Sequence, residues 1–415
     1  MKPVMIVGGG VIGLSVAHAL HRCGLPVTVV DAGPPARAAS HGNAGWITPA
    51  LSGPVPAPGL MRSSLGWMLR SDSPLYVRPR ADPGFLRWLI GFWRHCNTRA
   101  YQHGLAATAA LNAQTMPLFD AMRADGVEFE EHRQGLAIVY RSRHELEHDY
   151  AGLDALRVLG FPKPPLLDGD ELRSMEPVLT EAIVGGYGFD QDRSVRPDSL
   201  VAGLTHWLRE AGVDLRLATA VTAIEHQRGR VSMVVTDTGP IAAAAVIVCA
   251  GAWTPGVMRL AGVRVPIEAG KGYSLDVASP PAPQPRRPLY LHEARVAVTP
   301  LDGMVRLAGT MELSGLHDRI NPARVAAVHR AGVAALRGWP ADSASATVWT
   351  GSRPMTPDGL PVIGRAPGFA NLLMASGHAM LGVTLAPATA AALADLYLSG
   401  RTPDVLQPFD PARFA

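Results

Sequence analysis

Cysteine is scarce in this 415-residue chain: Cys23, Cys96 and Cys249 are its only three. They are odd in number and far apart, which excludes a disulfide framework and a closely spaced thiolate metal site. A reducing, cytoplasmic compartment is expected, and no bound metal. Long apolar runs are also missing, since none reaches the ~18 residues that a spanning helix needs. Charged residues make up only 18%, and the net charge is +3. That balance excludes a basic surface built for nucleic acid. Internal repeats and low-complexity segments are absent. The first apolar run begins at Val4, so no leader peptide is expected ahead of it. The apolar share of 47% fits a folded protein. The length exceeds one ordinary core and implies two packed domains.

The most informative stretch is the first. Val4–Val7 is apolar, Gly8-Gly9-Gly10-Val11-Ile12-Gly13 follows at once, and Leu14, Ala17 and Leu20 recur with helical spacing. After Gly24, a second apolar run, Val27–Val30, ends in Asp31 and Ala32. Strand, Gly-rich turn, helix, strand and acid in this order form a dinucleotide-binding fingerprint in its proper context. Gly8 permits the tight turn, Gly10 lets a pyrophosphate approach the backbone, and Gly13 lets helix and strand pack closely. The helix start at Val11 and Ile12 offers free N–H groups and partial positive charge to phosphates. Asp31 is placed to accept hydrogen bonds from a ribose diol. The pattern alone does not choose between NAD and FAD.

Residues 33–58 are rich in Gly, Pro, Ala and Ser and cannot form a regular helix; they read as chain laid along an extended cofactor. Further on, the pattern predicts a helix over 104–125 kinked at Pro117, a strand at Leu136–Tyr140, and charged and short helices at Arg143–Leu159 and Asp168–Met175. A helix at Pro197–Ala211, stopped by Gly212, precedes strands near Val213–Leu217, Val221–Glu225, Val231–Thr236 and Ala244–Cys249. The last of these ends in a second Gly turn, Ala250-Gly251-Ala252-Trp253, and Cys249 reads as a buried packing residue. Strand-like pieces over 264–310, a helix at Pro322–Leu336, a strand at Asn371–Met374 and a helix from about Leu385 to Ser399 complete the chain. The expected division is a discontinuous nucleotide-binding domain over 1–54, 191–262 and 341–415, capped by a sheet-containing domain over 55–190 and 263–340.

Residues 59–95 mix Trp67, Phe85, Trp88, Leu89, Ile90, Phe92 and Trp93 with Arg70, Arg87 and Arg94. Such a mixture suits an interfacial segment at the inner face of a membrane. An amphipathic helix packed on the protein is the commoner outcome.

Five stretches together resemble FAD-dependent D-amino-acid dehydrogenases, within the amino-acid oxidase, glycine oxidase and sarcosine oxidase superfamily. They are Ser40–Pro49 (SHGNAGWITP), Gly270–Ser274 (GKGYS), Arg306–Glu312 (RLAGTME), Arg353–Gly364 (RPMTPDGLPVIG) and Gly377–Pro387 (GHAMLGVTLAP). The match runs nearly end to end and is loosest over 60–190. It implies an α/β, two-domain flavoprotein with a Rossmann-like FAD-binding domain and a mixed-sheet cap that binds substrate. By resemblance, Ser40, His41, Asn43, Ala44, Gly45, Trp46 and Ile47 lie along the cofactor. Val221 reaches the adenine through its backbone, and Ala250 and Gly251 pass the pyrophosphate. Gly377, His378, Leu381, Gly382, Val383 and Thr384 open the last helix beside the flavin ring, where backbone N–H groups can meet growing negative charge. Arg353 matches the arginine that grips the substrate carboxylate, a task suited to a planar two-pronged donor. A structural salt bridge is the alternative for it. Glycine-oxidase-type members carry a second arginine where this chain has Met380, so a further donor such as Tyr273 or Tyr290 is needed. Lys271, Tyr273, Met311 and Glu312 are candidates for the pocket wall or for plain sheet positions, and His292 reads as a loop residue.

The resemblance implies oxidation of a D-amino acid, cyclic imino acids such as D-proline and D-hydroxyproline included, by hydride transfer from Cα to flavin N5. Electrons would pass to a quinone or an electron-transfer protein. An oxygen-dependent oxidase on the same fold, and an NAD-binding dehydrogenase or a non-catalytic nucleotide-binding protein, are the alternatives. The oligomeric state is not specified.

Overall fold

The computed structural model describes residues 2–34, 38–60, 73–278, 283–342 and 346–415. Trp67 and Arg70 of the aromatic segment lie outside the described residues. Two sheets organise the molecule. The first has six strands in the order Asp214–Arg216, Val27–Val30, Val4–Val7, Ala245–Val248, Leu372–Ser376 and Val362–Arg365. Five of them run parallel, and only the last pairs antiparallel. Strands buried on both faces need unbroken apolar runs, which the buried segments VMIV, VTVV and AVIV supply. Helices Val11–Arg22, Pro197–Glu210 and Gly382–Ser399 pack beside this sheet, with Leu14, Leu204, Leu385 and Leu393 in one core with Val4 and Ile6. A small antiparallel sheet, Val221–Gln227, Arg230–Thr236 and Gly239–Ala242, flanks it.

The second large sheet is mixed. Ala346–Met355, Glu268–Ala278, Met304–Leu313, Val296–Leu301, Leu289–Leu291, Leu136–Tyr140, Gly185–Phe189 and Leu167–Asp168 lie side by side, and Leu75–Val77 pairs with Met304–Leu313. Helix Pro322–Ala335 covers its outer face, where Val325 and Val328 meet Leu275 and Leu307.

Several expectations are corrected. The helix over 104–125 is two helices, Thr98–Asn112 and Thr115–Ala124, broken at Ala113 and Gln114. Pro117 sits in the first turn of the second, where no intrahelical N–H is needed. The stretch 143–159 is likewise divided, at Leu153, into Arg143–Gly152 and Asp154–Arg157. The 98–124 helices, expected in the cap, pack into the core of the parallel sheet, because Ala107, Leu111, Phe119 and Met122 face it. Ala346–Met355, expected with the nucleotide-binding part, is a ten-residue edge strand of the mixed sheet, paired with Glu268–Ala278 from Met355↔Glu268 to Ala346↔Val277. In the aromatic segment, helix Pro83–His95 buries Phe85 and Trp88 and leaves Leu86, Ile90 and Trp93 exposed. No described helix is long and apolar enough to cross a membrane.

Candidate active site

A cavity of about 1560 Å³ runs from the Gly-rich turn to the mixed sheet. Small-ligand pockets ordinarily span ~300–1000 Å³, so this one suits an extended cofactor together with a substrate. Its nucleotide end is built by the first turn. Gly8 has φ +121°, and a Cβ there would lie 2.4 Å from the Cys249 carbonyl oxygen. A Cβ on Gly13 would lie 1.9 Å from the Gly8 oxygen, so Gly13 stands behind the wall and serves helix packing. Asp31 closes the turn: Gly9 N–H donates to Oδ2 at 2.6 Å and Gly33 N–H to Oδ1 at 2.8 Å. Ser40 Oγ accepts from Val11 N–H at 3.1 Å. Gly8, Gly10, Val11, Ile12, Asp31, Ala32 and Ser40 all line the cavity, as do Val221, Ala250 and Gly251.

The irregular segment is held from both sides. Buried Arg306, paired with Asp276, donates to the carbonyls of His41 and Asn43 at 3.2 and 3.1 Å. Thr299 Oγ1 donates to the Ala44 carbonyl and accepts from Trp46 Nε1, each at 2.8 Å. From the other side, Thr384 Oγ1 donates to the Trp46 carbonyl at 2.9 Å and accepts from Thr48 N–H at 3.3 Å. Asn43, Ala44, Gly45 and Trp46 thereby face the cavity, while Ile47 is fully buried in the core and His41 stands off the wall. Opposite them, His378, Met380, Leu381, Gly382, Val383 and Thr384 line it, and Gly377 lies behind.

Two helix N-termini open here, at Val11 and Gly382. Neither is capped by its own N-cap residue and neither carries an acid in its first turn. Val11 N–H already donates to Ser40 Oγ, so the remaining N–H groups of that turn suit a pyrophosphate, and those at the Gly382 helix suit an electron-accepting ring edge. The residues present therefore fit an FAD. His378 is no proton carrier in this arrangement. Its Nε2 meets Thr389 Oγ1 at 3.1 Å, and burial pushes its pKa down to about 3.

Arg353 projects from the edge strand into the cavity. No carboxylate of the described residues pairs with it; Nη1 donates to the Thr310 carbonyl at 3.0 Å. Burial pushes its pKa down to about 10, and the nearby Tyr290 phenol opposes that shift, so it stays charged near neutrality. Gly272 on the neighbouring strand makes room for it, since a Cβ there would lie 2.2 Å from Arg353 Nη1.

Lys271, Tyr273 and Glu312 do not join Arg353. Lys271 Nζ pairs with Glu312 Oε1 at 3.1 Å and donates to the Arg319 carbonyl at 2.7 Å. The Tyr273 hydroxyl donates to Glu312 Oε2 at 2.8 Å and accepts from Asn321 N–H. Burial raises the Glu312 pKa, but hydrogen bonds from Ser314, Tyr273 and Lys271 outweigh it and hold the carboxyl below its usual range. Lys271 and Glu312 contribute nothing to the cavity wall, and Tyr273 reaches it with its hydroxyl already committed. Sequence reasoning missed Trp349, Tyr187, Asp149 and Arg295, which do line it, and His292, read as a loop residue, lines it too. Trp349 and Tyr187 sit on strands, His292 and Arg295 in one hairpin turn and Asp149 on helix Arg143–Gly152, and no local motif marks them.

The chain is similar to known proteins along nearly its whole length. A D-amino acid dehydrogenase from Cereibacter sphaeroides is 35% identical over 408 residues, covering 97% of this chain and 93% of its own. One from Chromohalobacter salexigens is 34% identical over 411 residues, covering 97% of each. Among solved structures, glycine oxidase from Geobacillus kaustophilus superposes with TM-score 0.78 at 23% identity, covering 99% of this chain and 98% of its own. L-proline dehydrogenase from P. horikoshii superposes with TM-score 0.75 at 18% identity, covering 100% and 97%. The model of the FAD dependent oxidoreductase family matches residues 3–396, and the chain belongs to that family of flavoproteins.

Proposed function

We propose that this protein is a D-amino acid dehydrogenase in which Arg353 holds the substrate carboxylate. The observation that carries the reading is a charged guanidinium with no carboxylate partner among the described residues, set in the wall of a cavity framed by residues 43–46 and 378–384. A cation kept without a counter-charge in a protein interior is costly unless a ligand supplies one. The names of the curated relatives support the D-amino acid class. Tyr290, which influences Arg353 and lines the same wall, is the better second donor than Tyr273, whose proton already goes to Glu312.

FAD, when bound, supplies the hydride acceptor. The chain supplies orientation and charge: Arg353 fixes one end of the substrate, and the Asn43–Trp46 segment and the Gly382 helix end shape the other wall. With His378 neutral and bonded to Thr389, the substrate amine loses its proton to solvent before transfer. Electrons then pass to a quinone or another acceptor that is not oxygen. The exposed stripe of Leu86, Ile90 and Trp93 beside Arg87 and Arg94 supports delivery at a membrane surface.

The test is steady-state kinetics of the holoenzyme against D- and L-amino acids, D-proline and D-hydroxyproline included, with dyes, quinones and oxygen as acceptors. Turnover of D-isomers with dyes or quinones and little peroxide in air is expected. Turnover of L-isomers alone contradicts the substrate class, and rapid peroxide formation contradicts the acceptor.

A further inference from the structure

The cavity does not end at Arg353. It continues past Tyr290 to the turn joining strands Leu289–Leu291 and Val296–Leu301, and that turn ends on Arg295. Arg295 has φ +54°, the left-handed region where such a hairpin ordinarily places Gly or Asn. A bulky residue held there is an outlier that invites a functional explanation. Its side chain lines the cavity and stays solvent-accessible, and, against burial, the Tyr290 phenol on the same wall raises its pKa. No carboxylate of the described residues lies within ion-pair distance of it.

The acids near this turn have other partners: Glu293 Oε1 accepts from the Arg141 and Ser142 N–H groups at 2.7 and 2.8 Å, and Glu145 Oε2 lies 3.9 Å from His292 Nε2. Asp149 Oδ2 accepts from the Tyr140 hydroxyl at 3.2 Å and faces His292 Nε2 at 3.1 Å. Tyr140 also shares a 3.0 Å contact with the Tyr187 hydroxyl and stacks on the His292 ring. Burial, helped by the Arg295 charge, lowers the His292 pKa. Among the described residues, no carboxylate pairs with the Arg295 fork of donors where it lines the cavity. The wall thus presents two guanidinium groups, Arg353 and Arg295, both within electrostatic reach of Tyr290.

Resting on the reading of Arg353 as the α-carboxylate anchor, we propose that Arg295 forms a second anion subsite, which selects acidic D-amino acids by binding their side-chain carboxylate. D-Glutamate and D-aspartate present two carboxylates to two arginines. A neutral side chain leaves Arg295 unpaired, and a basic one meets like charge. A planar fork suits a carboxylate in two-pronged contact. Tyr290, which lines the same wall, can donate to a carboxylate there.

The test compares D-glutamate, D-glutamine, D-alanine, D-proline and D-lysine on the wild-type holoenzyme and on R295G and R295K. Glycine relaxes the left-handed backbone, so R295G removes the cation without adding strain. The wild type is expected to prefer D-glutamate over D-glutamine by at least ~10-fold in kcat/KM, and R295G to lose about 10- to 100-fold on D-glutamate, the scale of a lost charge-assisted hydrogen-bonded contact. Its activity on D-alanine is expected to change less than ~3-fold, and R295K to recover part of the loss. Equal losses on D-glutamate and D-alanine overturn the proposal, because Arg295 then serves the α-carboxylate or the fold. Wild-type preference for D-proline, D-glutamine or D-lysine overturns it as well. Binding of glutarate and butyrate, followed by the flavin absorbance change, separates this proposal from the parent reading. If no D-amino acid is oxidised, the parent reading fails. The subsite then stands only if glutarate binds more tightly than butyrate and R295G abolishes the difference, and it falls if the two bind alike.

Discussion

At the residue scale, Arg353 is a charge kept available by geometry. Its strand neighbour Gly272 has no side chain, and among the described residues Arg353 donates to a neutral carbonyl, that of Thr310. Replacing it by Ala is expected to lower kcat/KM for a D-amino acid by about 100- to 1000-fold, the scale of a lost charge-assisted two-pronged contact. FAD content, read from the flavin spectrum, is expected to stay unchanged. G272A is expected to impair catalysis in the same direction with the arginine still present, because the new methyl group occupies the guanidinium's place; normal kinetics for G272A would contradict that packing. Arg353 was legible in the sequence because it sits in a long, specific stretch, Arg353–Gly364. Lys271 and Glu312 take the second of the two readings open for them, plain sheet positions, because strand residues alternate between faces and their stretches do not say which face meets the cavity. The register shift between Lys271 and Tyr273 further breaks simple alternation. Arg295 carried no signal at all, since its significance comes from a turn conformation and from partners distant in sequence.

At the element scale, the last helix and the Asn43–Thr48 segment are joined through Thr384. T384V removes a hydroxyl that serves the Trp46 carbonyl and the Thr48 amide, leaving both buried groups unmatched. A loss of about 1–3 kcal/mol in unfolding free energy is expected, with faster release of FAD on dilution; unchanged denaturation and FAD retention would show that the joint contributes nothing. His378, at the approach to the same helix, makes stability pH-dependent. Its pKa is about 3 in the folded protein against an ordinary 6.5, so the unfolded chain binds the extra proton first. Stability contributed by this residue is complete above pH 6.5 and falls as the pH drops from 6.5 towards 3 by about 1.4 kcal/mol per unit. H378Q, which cannot titrate, is expected to flatten that acid limb by one proton in denaturant melts across this range. The Val4–Asp31 unit was fully legible because each part is a local pattern. The helix break at Ala113–Gln114 was not, because Pro117 is a stronger local signal than the tertiary packing that sets the true boundary.

At the scale of the whole molecule, distant parts of the chain converge on one cavity: residues 8–12, 43–46, 250–253, 349–354 and 378–384 all line it. The two sheets could be foreseen, but their membership could not be read from contiguous segments. The 98–124 helices and the Ala346–Met355 strand each pack across the expected boundary because their apolar or hydrogen-bonding partners lie there. A ligand bound at such a convergence stabilises the folded state by mass action. Removing FAD is therefore expected to lower the melting temperature, and re-addition to restore it; equal melting of the apo and holo forms would contradict a cofactor held by both ends of the chain.

The most direct test of the central claim is anaerobic mixing of the oxidised holoenzyme with D-amino acids while the flavin absorbance is recorded. The account predicts rapid bleaching with a D-isomer, none with its L-isomer, and bleaching in R353A that is slow and needs far higher substrate. Wild-type bleaching by L-isomers alone, or an undiminished response in R353A, would contradict it.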